Sequence, residues 1–139
     1  MCRPFIFMQK NFRRKNMPFI AAEELPKMEL FPGALSGIVA GEGLMLSFLE
    51  MVEGSEVPEH SHPHEQAGLV LSGELQFRIG SEERILKPGE AFIVPPNVVH
   101  SGVVTKGPAR VLDIFTPPRE DYIDQYNKHT STSTQTRWE

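Results

Sequence analysis

Four of the chain's five histidines fall at His60, His62, His64 and His100. Imidazole suits divalent transition metals such as Zn, Ni, Mn, Fe or Cu, and affinity order alone does not choose among them. Residues i and i+2 of a strand face the same side. On a strand, His60 and His62 would therefore present two rings to one point. Gln66 continues their parity, and His100 follows a Pro95-Pro96-Asn97 turn and opens another strand. This makes His60, His62 and His100 candidate ligands for one divalent metal, with Gln66 as the fourth. Three neutral imidazoles and an amide oxygen bring no negative charge. The ion would keep its full formal charge, act as a strong Lewis acid and attract an anionic oxygen. Two alternatives accompany this set. Glu65 could supply a carboxylate in place of Gln66. His64 shares the parity of His62, but Pro63 interrupts the strand between them, which makes His64 an outer or surface residue. A histidine pair taken alone is equally compatible with an ordinary surface or core position.

A second group lies downstream in the segment VLDIFTPPREDYI. Asp113 and Phe115 share one strand face, while Leu112 and Ile114 take the other. A carboxylate on an otherwise apolar strand needs a partner or a purpose, because burying it alone is costly. Facing the interior near a metal, Asp113 could serve as general acid or base. Arg119 could receive a substrate carboxylate in bidentate fashion, and Phe115 could form an apolar wall. The plain alternative is an Asp113–Arg119 salt bridge that pins a helix against the strands.

The elements that must position these residues read as strand, turn, strand from about Ile38 to Phe115. Leu44 to Val52 is a mostly apolar run with Gly-rich flanks, which favours a strand over a helix. Gln66–Leu71 and Leu75–Ile79, separated by Ser72-Gly73-Glu74, carry a hairpin signal. Gly80-Ser81 turns the chain into Arg84–Leu86, and Lys87-Pro88-Gly89-Glu90 is another turn. Ala91–Val94, Val98–Thr105 and Arg110–Phe115 complete the set. Strands this short and this closely spaced predict a sandwich or barrel. After Pro117-Pro118, Arg119–Lys128 predicts one helix with Glu120 and Asp121 in its first turn, where the dipole favours acids.

Bulk properties narrow the function classes. The chain has 139 residues, 40% hydrophobic and 23% charged, with 12 Pro and 11 Gly. That length suits one domain with a real core. The net charge of −4 hides an asymmetry, because residues 1–22 hold Arg3, Lys10, Arg13, Arg14 and Lys15 and none of the 18 acids. The remainder is acidic enough to repel nucleic acid. No apolar run is long enough to span a membrane. Cys2 has no internal disulfide partner, which points to a reducing, cytoplasmic setting. Residues 1–22 are expected to form a weakly ordered basic leader, of which 1–16 read as an extension upstream of an ordinary start at Met17. Residues 23–127 form the domain, and 128–139 a Ser/Thr-rich tail.

The spacing Gly54-x5-His60-x-His62-x3-Gln66-x6-Gly73, followed by Gly89-x5-Pro95-x4-His100, resembles the two motifs of the cupin superfamily over residues 38–116. The resemblance implies an all-β single-domain cupin β-barrel (a double-stranded β-helix or jelly roll) with a short C-terminal helix, and it strengthens the metal assignment. Three positions depart from the family pattern. Gln66 stands where Glu is usual, Asn97 replaces a glycine, and Val104 replaces the terminal Asn. Asn97 tolerates the same turn geometry. HSHPHEQ, KPGEAFIVPPNVVHSG and DIFTPPREDY are similar to the pectin-degradation cupins of the KdgF type. That similarity implies a mononuclear metal site, with Asp113, Phe115 and Arg119 serving the conversion of 4,5-unsaturated uronates to open-chain keto sugars. It further implies a small anionic sugar-acid substrate and no organic cofactor. Isolated small cupins commonly pair, so a homodimer is expected. Two other functions share the same residues: a metal-dependent dioxygenase on a small molecule, and a non-catalytic sugar-binding or sensing cupin. Fold and motif do not by themselves fix the substrate.

Overall fold

The structure is a computed structural model that describes residues 19–132. The leader expected over residues 1–22 lies largely outside the described residues, as does the tail beyond Thr132. Eight antiparallel strands form one continuous hydrogen-bonded system: β1 (Met28–Phe31), β2 (Ala34–Ala40), β3 (Met45–Met51), β4 (Glu56–His60), β5 (Glu65–Ile79), β6 (Glu82–Leu86), β7 (Ala91–Val94) and β8 (His100–Thr116). One helix, α1 (Glu120–Thr132), follows. Among the described residues no helix is long and apolar enough to cross a membrane.

The two long strands organise everything else. β5 and β8 pair along their lengths, from Glu65↔Thr116 to Ile79↔His100. Each then serves two further neighbours. The first half of β5 pairs β7 and its second half pairs β6. The first half of β8 pairs β4 and its second half pairs β3, which continues through β2 to β1. The pair must therefore bend at its middle, and the register shifts there between Val70 and Leu75. This corrects the hairpin expected at Ser72-Gly73-Glu74. Gly73 does take a positive φ of 78°, but it sits in a bulge within one continuous strand. A Cβ there would meet the Ala109 Cα and the Pro108 carbonyl at 2.6 Å. Glycine serves a bulge as readily as a turn, so the sequence signal was ambiguous between them. For the same reason Val98–Thr105 and Arg110–Phe115 are one strand, β8. The paired β1 and β2 lie upstream of most of the region read as strands. β2 is ALSGIVA, whose small residues have little strand propensity of their own and are held by packing.

Period-2 alternation buries one face of each strand. Val70, Val94 and Val104 are almost fully enclosed, with Leu75, Phe77 and Phe92 beside them. Each such side chain contributes about 1.5–3 kcal/mol. A second cluster, Met28, Ile38, Met45, Phe115, Ile123 and Tyr126, joins α1 to the barrel. The Tyr126 hydroxyl donates to the Pro26 carbonyl at 2.6 Å. This packing carries α1 past Lys128, where the sequence predicted its end, to Thr132. The helix starts one residue after Arg119 with the two expected acids in its first turn.

Candidate metal centre and acid–base pocket

His60 is the last residue of β4 and is paired across the sheet with His100, the first of β8. β4 ends there, so His62 does not reach the cluster along a strand face as the i, i+2 argument supposed. It reaches it from the β4–β5 loop, which is pinned by the Asn97 N–H donating to the His62 carbonyl at 2.7 Å. Asn97 has a φ of 67°, the left-handed conformation that Asn tolerates in place of glycine. The ligand atoms of His60, His62 and His100 lie within 4.8 Å of one another. The ring centroids are 4.2 Å apart for His60 and His100 and 4.9 Å apart for His62 and His100.

Hydrogen bonds decide which nitrogen each ring offers. His60 Nδ1 meets the Pro58 carbonyl at 2.7 Å, His62 Nδ1 the His64 carbonyl at 3.2 Å, and His100 Nδ1 the Val98 carbonyl at 2.9 Å. A carbonyl only accepts, so each Nδ1 carries the proton and each Nε2 presents a lone pair. His100 Nε2 is buried with no partner. Gln66 Oε1 lies 3.1 Å from His62 Nε2. With Nε2 unprotonated, two acceptors face each other at that distance, an arrangement that a shared cation would relieve. The donor set therefore fits a divalent transition metal. Burial, followed by the charges of Arg119 and His100, pushes His62 down to about 4, against the Gln66 amide. Burial also lowers His100, against its bond to the Val98 carbonyl. These two rings thus stay neutral at neutral pH, the state a metal ligand requires.

The alternatives separate cleanly. Glu65 is exposed and Gln66 buried, as adjacent residues of one strand must be. His64 contributes its backbone carbonyl to His62, and its half-buried ring stands 5.4 Å from that of His62.

Asp113 faces the same interior. It pairs across the sheet with Ser47 on one side and Gly68 on the other. Its side chain is buried and Oδ1 has no partner. Burial pushes its carboxyl up to about 7, opposed by the Gln66 amide and the Arg119 charge. A Cβ on Gly68 would meet Asp113 Oδ1 at 2.8 Å and the Phe92 ring at 2.2 Å. Glycine at 68 is what leaves room for the carboxyl. Phe115 is buried with its ring 5.7 Å from that of His62. Arg119 is buried but makes no salt bridge to Asp113 among the described residues. It pairs with Asp121 instead, Nη2 to Oδ2 at 2.7 Å and Nε to Oδ1 at 3.2 Å. The salt-bridge alternative is thus replaced by a local pair, and one edge of the guanidinium fork is already occupied. Nη1 remains buried and unpartnered. One pocket is lined by His60, Gln66, His100, Asp113, Arg119 and Tyr122 together with apolar residues that include Phe77 and Phe92. The sequence reading missed Gly68, Asp121 and Tyr122. Only the local Arg119-x-Asp121 spacing signalled any of them.

The cupin domain family matches residues 47–115. The pectin degradation protein KdgF of Dickeya dadantii is 30% identical over 103 residues, covering 73% of this chain and 94% of that protein. The chain is a KdgF-type cupin. KdgF from Halomonas sp. superposes on this cupin with a TM-score of 0.73 at 28% identity, covering 77% of this chain and 99% of the other. An RmlC-like cupin from Shewanella frigidimarina gives 0.72, also at 28% identity, over 77% of this chain and 96% of its own. In this KdgF-type cupin, three histidines are positioned for a metal ion within a fold shared with proteins named for pectin degradation.

Proposed function

We propose that this KdgF-type cupin is a metal-dependent isomerase that opens 4,5-unsaturated uronates to their linear keto forms. The observation that carries this reading is the Asp113 carboxyl, buried with an unpartnered oxygen in the same cavity as the histidine cluster. His60, His62, His100 and Gln66 would hold one divalent transition metal, which would supply Lewis acidity toward a substrate oxygen. Ring opening breaks the bond between C1 and the ring oxygen. It moves the proton of the C1 hydroxyl to C4 and leaves a C1 aldehyde and a C5 ketone. Asp113 takes that hydroxyl proton and returns it to C4, a task suited to a carboxyl poised near neutrality. Nη1 of Arg119 receives the substrate carboxylate, and the Phe115 ring walls the pocket beside His62. No electron is gained or lost.

The test is loss of the ultraviolet absorbance of the unsaturated ring when the metal-loaded protein meets 4,5-unsaturated galacturonate, with and without oxygen. Equal rates are expected. A rate that needs oxygen would indicate a dioxygenase, and binding without turnover would indicate a sensor.

We also infer that a second copy of the chain covers the outer sheet face. Ile93, Ala67, Ile114, Leu46 and Val39 form one register row across five strands, and Leu69, Leu112 and Phe48 continue the next. The rows carry no charge, and Ile93 is 62% exposed. Both signs sit at the rim, in the cross-strand pair Glu50↔Arg110. An apolar face with mixed charge at its edge can complement itself across a twofold axis. Light scattering should give twice the chain mass, and Leu112→Glu should halve it. A wild-type monomer would overturn the inference.

A further inference from the structure

The guanidinium of Arg119 is held on more sides than a simple anion receptor requires. Its Nε and Nη2 edge is taken by the Asp121 carboxylate, at 3.2 and 2.7 Å. The Tyr122 ring lies against its face, with Cζ 3.7 Å from the centroid. The Phe115 ring is a second aromatic neighbour at 5.3 Å, and Tyr122 meets Phe115 edge to face with centroids 5.9 Å apart. Asp121 is itself held. Although burial opposes its charge, hydrogen bonding to Arg119, the Arg119 charge and the first N–H groups of α1 keep its carboxyl below the usual range. Only Nη1 is left over, and it is buried.

Arginine is long and carries much rotamer freedom, but its planar fork loses little more once its faces and edges are matched. A bidentate carboxylate pair fixes the rotation of the plane, and a stacked ring fixes its tilt. An unpartnered donor of a buried cation is costly unless a ligand completes it.

We propose that Asp121 and Tyr122, in the first turn of α1, are positioning residues that lock Arg119 so that Nη1 alone is offered to a carboxylate in the cavity. The clamp makes the contact end-on. It sets the distance between the bound carboxylate and Asp113 across the pocket, and with it the register of the substrate over the histidine cluster. The carboxylate's identity as that of a uronate rests on the proposed function; the clamp itself does not. The clamp also gives the helix a reason to begin where it does. Packing of Ile123 and Tyr126 into the barrel places the first turn, and the first turn places the guanidinium.

The test combines kinetics with a direct view of the side chain. In full-length, metal-loaded protein, the Nε–H resonance of isotope-labelled Arg119 is assigned by its loss in Arg119→Lys. Wild type should show it sharp and slow to exchange with water. Tyr122→Leu and Asp121→Asn should broaden it or speed its exchange. With 4,5-unsaturated galacturonate as substrate, Tyr122→Leu should raise KM about tenfold, the scale of one lost positioning contact. Its kcat should fall as well, because a substrate out of register meets Asp113 poorly, and Tyr122→Phe, which keeps the ring, should recover most of both. Unchanged Nε–H exchange in both variants would overturn the clamp. So would a KM in Tyr122→Leu equal to wild type on an active enzyme. Should Tyr122→Leu fold poorly, Asp121→Asn carries the test, because the Asp121 side chain is 61% exposed. If wild type ignores uronates, the proposed function fails, and the clamp is then decided by the Nε–H exchange alone.

Discussion

On one side of the cavity, His60, His62 and His100 are each oriented by a backbone carbonyl two residues away. On the other side, Asp113 is shaped by Gly68 of β5 and Ser47 of β3, and Arg119 by the first turn of α1. Each ring of the metal half is thus oriented by a short-range contact, although the rings meet only where β4 pairs β8 and Asn97 pins the β4–β5 loop. The acid–base half exists only after distant strands register and the helix docks. The two halves should therefore fail differently, the first through lost metal and the second through lost chemistry with the metal retained.

Removing a ligand should have the largest effect. His100→Ala should weaken metal binding by more than about a hundredfold, beyond what loss of a partner outside the ligand set does. Metal analysis of the purified variant would show it. Retention of wild-type metal content would break the assignment of the metal half. Next comes Gly68→Ala, where the added methyl meets both Phe92 and Asp113. Overpacking there should cost about 1–3 kcal/mol in urea unfolding. Turnover should fall, and metal content should be unaffected. If Gly68→Ala lost its metal, the two halves would not be separable. Smaller still is Tyr126→Phe, which deletes the hydroxyl bond to the Pro26 carbonyl. It should cost about 0.5–1.5 kcal/mol and leave metal content unchanged. The least effect belongs to Arg78→Ala. Its ion pair with Glu83 is half-exposed on both sides, and its loss should shift stability by less than about 1 kcal/mol.

The contrast between the halves also explains what could be read in the sequence. Histidine spacing and the turn at Asn97 are local and therefore legible, although the three rings come within one ion's reach only through the β4–β8 pairing and the Asn97–His62 bond. The strand around Leu44–Val52, the strand Ala91–Val94 and the helix after Pro118 were legible because their patterns are also local. Ser72-Gly73-Glu74 misled because a positive-φ glycine looks the same in a hairpin and in a bulge. Only the long partner strand β8, bending at the same point, decides between them. The start of β2 was silent because ALSG carries no apolar alternation, and β1, MELF, spans only four residues, too few for a periodicity to stand out. Arg119 was visible as a residue, but its pairing with Asp121 rather than Asp113 depends on where α1 begins. The same holds for Tyr122, whose ring reaches the guanidinium only once the helix has turned it inward.

Asp113 is proposed to move the proton beside a metal it does not hold. Its most direct test is the rate of metal-loaded Asp113→Asn on 4,5-unsaturated galacturonate, with metal content measured on the same sample. Full metal occupancy and a rate about 10²–10⁴-fold lower than wild type are expected. Wild-type turnover by Asp113→Asn, at equal metal content, would contradict it.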